Sequence, residues 1–148
     1  HMHMLPGVID ISLDVAASLH LDAVRISRTP LFTAFAGMGQ LIGRLGLFTL
    51  SELSLWKAKR RHFRVPDHFE GIVAGEAVHE GHFLHILKDL RPGTTEVMMH
   101  PGTDNEKLIP ACDWEHDFQA EMQAIVSPKV RRMIADKAVK VVNYRDLK

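Results

Sequence analysis

The chain has 148 residues, enough for one domain with a core but short for a complete α/β barrel, which takes about 200 or more. Apolar residues make up 46% and charged residues 24%, an ordinary globular balance. Eighteen basic residues offset eighteen acidic ones, which leaves no net field for nucleic acid or an anionic membrane, and the lone Cys112 excludes an internal disulfide and fits a reducing, cytoplasmic compartment.

His1-Met2 matches the remnant that tag removal leaves, and no secretory signal pattern opens the chain. Pro6 suits a first helical turn, and Val8, Ile11, Val15 and Leu19 recur at helical spacing, which predicts a helix to about His20. Ala23 to Ser27 reads as a short strand closed by Thr29-Pro30. Residues 31–56 are the most apolar stretch. Four glycines and the central Arg44 suit a buried, broken helix better than a membrane span. Lys57, Lys59, Arg60 and Arg61 then supply the positive charge that favours a helix C-terminus.

Residues 69–75 read as a second strand, approached through Val65-Pro66-Asp67. A helix from His79 to Leu90 places Phe83, Ile86, Leu87 and Leu90 inward, and Pro92-Gly93 stops it. Residues 94–99 form a third strand ending at His100-Pro101-Gly102. After a polar loop a helix starts near Asp113. Another starts at Ser127-Pro128, with serine as N-cap and proline at the first helical position, and residues 140–144 close the chain as a fourth strand. Strands alternating with helices predict an α/β fold: one domain over 1–148, a partial (β/α) barrel-like unit of about four mostly parallel strands.

Ten histidines invite a metal reading. His1 and His3 project to one side of an extended segment, where neutral imidazoles can hold a divalent ion such as Zn²⁺. His79, His82 and His85, three apart, lack the four-residue spacing of a helical zinc motif and read as solvated. His100 differs. It ends a predicted parallel strand, at the sheet edge where ligands and catalytic groups collect, and an imidazole exchanges protons near neutral pH. A structural histidine capping the turn explains the same position. Arg25 can bind a carboxylate or orient a polar substrate, or else make a buried ion pair. Asp67 and Glu76 flank the second strand and can reach the same rim, or cap loops.

Taken in order, several segments resemble the YdjC-like family of carbohydrate deacetylases, closest to its hopanoid-biosynthesis-associated branch. Residues 1–8 are similar to the tail of that family's histidine-rich segment, Ala23-Val24-Arg25 to the next strand, and Val65 to Gly71 to the approach to the following one. Gly93 to Gly102 resembles a late G-x-x-E-x-M-x-H-P-G signature, the most specific piece, and Val142 to Leu147 resembles the closing strand.

The resemblance implies an irregular (β/α) barrel in which a divalent ion, Mg²⁺ or Zn²⁺, activates water to attack an N-acetyl carbonyl. It implies His100 as proton donor to the leaving amine, and an N-acetylated saccharide or glycolipid as substrate. The family's paired aspartates and a further metal-binding histidine have no counterpart in this sequence, and His1 and His3 align near the metal rather than as its assigned ligands. The expectation is therefore an incomplete deacetylase, inactive alone. The alternatives are a non-catalytic carbohydrate- or protein-binding module, and an enzyme that another chain completes. Four strands cannot close a barrel, so a homo-oligomer or completion by another chain is expected to cover the apolar surface left over.

Overall fold

A computed structural model describes residues 4–28, 41–71 and 77–147, and the side chains of these except 41–44. The fold is mixed α/β. Among the described residues it has six α-helices: α1 (Val8–Ser18), α2 (Leu41–Arg60), α3 (Glu80–Lys88), α4 (Asn105–Cys112), α5 (Phe118–Val126) and α6 (Pro128–Asp136). β1 (His68–Glu70) and β2 (Thr95–Val97) form a two-stranded parallel sheet, and a 3₁₀ turn (Tyr144–Asp146) ends the chain. The residues fall into two compact units: His1–Phe69 with Gly93–Glu96 and Val142–Lys148, and Glu70–Pro92 with Val97–Val141.

In the first unit α1 packs on α2, but not by the residues whose spacing announced it. Ile9, Leu13 and Ala16 are buried, while Val8, Ile11, Val15 and Leu19 face outward. Ile9, Leu13, Ala16, Ile26, Ala58 and Phe63 form one cluster, and each large side chain in it contributes roughly 1.5–3 kcal/mol by leaving water. The inner stripe of α2 is Ser51, Ser54 and Ala58, all small, which lets its backbone lie close to its neighbours. Ser51 Oγ donates to Phe48 O at 2.8 Å, so that hydroxyl is buried without loss of a partner. Ion pairs of Asp10 with Lys57 and Asp14 with Arg61, both 2.6 Å, line the exposed side and add little.

Residues 23–27 do not form the predicted strand. They run extended, and only Ala23 bridges Arg64, in parallel: Val24 N–H donates to Arg64 O and Arg64 N–H to Asp22 O. His68 N–H donates to Thr94 O, the first rung between β1 and β2. Asp67 ties the two strand starts: its Oδ2 accepts from Thr94 N–H and from Thr94 Oγ1, each at 2.8 Å. Gly93, at φ 109°, makes the preceding turn, and an added Cβ there would meet Asp67 Oδ2 at 2.6 Å. The fourth predicted strand is also absent. Val141 and Val142 are exposed, and Asn143 and Asp146 close a reciprocal capping box that winds the chain into the 3₁₀ turn instead.

In the second unit α3 packs on α5 and α6. Ile86 and Leu87 of α3 are buried as expected, while Phe83 and Leu90 are half-buried. His79 caps α3, its ring accepting from His82 N–H. Ser127 caps α6 as predicted, accepting from Lys129 and Val130 N–H, with Pro128 at the first helical position. The polar loop contains a helix the sequence reading omitted. Asp104 caps α4 by accepting from Lys107 N–H, and Asp113, at φ 48°, ends it. Asp117 caps α5, which starts five residues later than predicted. Among the described residues no helix is long and apolar enough to cross a membrane. The predicted helix over 31–56 is seen as α2 from Leu41, and residues 31–40 lie outside the described residues.

Candidate active site

β2 ends at Val97, and the chain leaves it through Met98 and Met99 to the His100-Pro101-Gly102 turn. Gly102 is buried against the start of α5. Its N–H donates to Phe118 O at 2.9 Å, and an added Cβ would lie 2.9 Å from that of Phe118. Only glycine permits this approach, so the turn is pinned to α5 and His100 is placed with it.

One helical turn past Phe118, α5 presents Glu121 inward, 1% exposed. Its Oε1 accepts from Val78 N–H at 2.9 Å, and its Oε2 accepts at very short range from the backbone N–H of His100. His116 is also buried, and its Nε2 lies 3.2 Å from Glu121 Oε1 without making an in-line hydrogen bond to it. The carboxylate thus anchors two chain segments, the lead into α3 and the turn after β2, and lies beside His116 of the loop before α5. A buried carboxylate persists only with such partners.

His100, His116 and Glu121 bring three ligand atoms within 4.8 Å of one another. Two imidazoles and a carboxylate are the donor types of a zinc-class ion, and the buried, unsatisfied His116 Nε2 is consistent with such use. Glu121 already serves two backbone donors, which is equally consistent with a scaffold that positions His100. Trp114 completes the group. Its indole stacks on His116 with centroids 4.2 Å apart and meets the His100 ring edge-on at 5.0 Å.

Of the other candidates, Arg25 and Asp67 belong to the first unit. Arg25 pairs closely with Glu96, whose second oxygen accepts from Tyr144 Oη. Burial opposes the charge on Arg25, but hydrogen bonding and attraction from Glu96 leave its pKa raised, and burial followed by the Glu96 bond raises that of Tyr144. Asp67 is engaged by Thr94. His1, His3 and Glu76 are outside the described residues. Sequence reasoning did not single out His116, Glu121 or Trp114. The available signal was Glu121 itself, a carboxylate between Phe118 and Ala124 on the apolar stripe of α5.

The family model described as YdjC-like protein matches residues 1–136. A curated relative, the carbohydrate deacetylase of Thermoanaerobacter pseudethanolicus, is 28% identical over 82 residues, 55% of this chain and 33% of the relative. The match thus spans a third of that relative's length. No solved structure matches the chain.

Proposed function

Since this chain belongs to the YdjC-like family, we propose that it carries the proton-donor side of a carbohydrate N-deacetylase site, with His100 as the donor. One observation carries this reading. The histidine of the late signature follows a parallel strand, half-buried, with its backbone held by the buried carboxylate of Glu121.

The reaction is amide hydrolysis. Water adds to the acetyl carbonyl, the C–N bond breaks, and the departing nitrogen takes a proton, giving acetate and a free amino sugar. His100 supplies that proton. Its task needs a fixed imidazole near the amide, and the Glu121 anchor with the flanking Trp114 restricts where the ring can go. The metal-binding side of the site, the barrel that would enclose it, and the choice between a free saccharide and a glycolipid belong to this proposal as the resemblance implies them.

A second reading is favoured by the unsatisfied His116 Nε2. Here His100, His116 and Glu121 would hold the divalent ion, which when bound polarises a carbonyl and lowers the pKa of water. The two uses compete at His100, because ligation takes the lone pair that proton transfer needs.

The test is acetate release from N-acetylated oligosaccharides by the full-length gene product, with Zn²⁺ titrated separately by calorimetry. His100→Ala is expected to lower turnover by about 10²–10⁴-fold, the worth of a general acid, with Zn²⁺ affinity unchanged. Loss of zinc affinity in both His100→Ala and His116→Ala would select the second reading. Full turnover in His100→Ala would overturn both.

A further inference from the structure

Trp114 is the one large aromatic of this group that remains substantially exposed, at 41%. His116 stacks on the inner face, 22° from parallel at 4.2 Å. Were His100 on the outer face, its centroid would lie from that of His116 at nearly the sum of their separations from the indole. At 5.5 Å from His116 and 5.0 Å from Trp114 it lies beside the indole instead, meeting it at 86°. Phe118 is likewise on the His116 side, 4.9 Å from His116 and 5.6 Å from Trp114. None of these three rings covers the outer face.

The ring is also held. A surface tryptophan on a loop would ordinarily lose side-chain entropy when a ligand ordered it. This one is already fixed by stacking on a buried histidine, itself beside the buried Glu121. An ordered aromatic plane with one free face is suited to a flat apolar surface. A pyranose ring offers one, the face on which its axial C–H bonds point outward, while its hydroxyls and acetamido group point sideways to water and polar groups. Trp114 is therefore both apolar enough to take the sugar ring and near enough to His100 to fix where the amide falls.

Resting on the deacetylase reading, we propose that Trp114 is a sugar-stacking platform, and that an N-acetylated pyranose lies on its outer face beside His100. Trp114 is then a substrate-positioning residue. It takes no part in proton transfer.

The experiment uses the full-length gene product carrying Trp56→Phe, which removes the other tryptophan of this chain, and the β-1,4-linked trimer of N-acetylglucosamine as probe. Titration should give a saturable change in Trp114 emission. By calorimetry, Trp114→Ala should weaken trimer binding about tenfold or more while Trp114→Tyr stays within about threefold, since an aromatic face is retained. In turnover the same loss should fall on KM more than on kcat. Trimer binding that depends on Trp114 but yields no acetate would uphold the platform and remove the deacetylase reading. Acetate release with KM unchanged in Trp114→Ala would do the reverse, and a Trp114→Tyr variant as weak as alanine would also overturn the platform.

Discussion

Glu96 and Glu121 are both inward-facing carboxylates, one in each unit, and their partners set them apart. Glu96 is clasped by Arg25 on one oxygen and by the Tyr144 hydroxyl on the other, a permanent cation and a phenol whose pKa burial and Glu96 itself raise. Every group in that trio is committed, and it joins the extended segment after α1, β2 and the C-terminal turn as a lock. Among the described residues no arginine pairs with Glu121. Two backbone N–H groups and a histidine surround it, and the histidine's nitrogen remains unsatisfied. A carboxylate held by backbone alone leaves its side-chain neighbours free for protons, metals or substrate. The same residue type is thus structural where a fixed charge neutralises it and chemically open where the main chain does.

Removing each in turn sharpens this contrast. Glu121→Ala should be the costlier, at about 3–5 kcal/mol, because the Val78 and His100 N–H groups both lose their acceptor where water has little access. Chemical denaturation measures it, and a loss under about 1 kcal/mol would show that Glu121 is not the anchor of the His100 turn. Glu96→Ala should cost less, about 1–3 kcal/mol, since the Arg25 side chain is 46% exposed and water replaces part of the clasp. A double-mutant cycle of Arg25→Ala with Glu96→Ala should return a coupling of the same sign. If Glu96→Ala proves the more damaging, the contrast is reversed.

The sequence showed the mixed α/β class and the helix that Ser127 caps, and it singled out His100 as a candidate. Ser127-Pro128 announced α6 because both the cap oxygen and the missing N–H act locally. The last strand expectation failed to a local competitor: Val141 and Val142 are apolar and β-branched, but the Asn143–Asp146 box takes the chain another way. α4 stayed hidden because Pro110 lies inside it and reads as a stop, although Asp104 caps it as aspartate does elsewhere. His116 and Trp114 were illegible for a different reason. Their meaning comes from stacking on each other and from a carboxylate on the next helix, and neither has a local pattern.

A smaller effect separates helix caps from the two carboxylates. Ser127 Oγ accepts from two N–H groups of α6 and donates to Glu80 Oε1 at 2.6 Å, so Ser127→Ala should cost about 1–2 kcal/mol, near the upper range for an N-cap. Glu80→Gln, which keeps an acceptor, should cost less in the same unfolding assay. Equal losses would mean that the Glu80 contact, and not the cap, carries the stabilisation.

The smallest expected effect is in pH. The Thr94 backbone N–H and then its hydroxyl hold the Asp67 carboxyl below its ordinary value, as the Asn105 side chain and then the Ala120 N–H do for Asp117. In the unfolded chain both return to about 4, so below that value the unfolded state binds more protons than the folded one. Their contribution is therefore complete at about pH 6 and is lost as pH falls below about 4 towards the folded values. Asp67→Asn cannot titrate, so its melting temperature should fall less steeply between about pH 5 and pH 3 than that of the parent, from a lower start at neutral pH. Both groups lie near the surface, where solvent weakens such bonds, and the change of slope should accordingly be slight. Parallel slopes for parent and variant would mean that Thr94 does not favour the charged form of Asp67, and that the tie between the starts of β1 and β2 is steric, set by Gly93 packing against it.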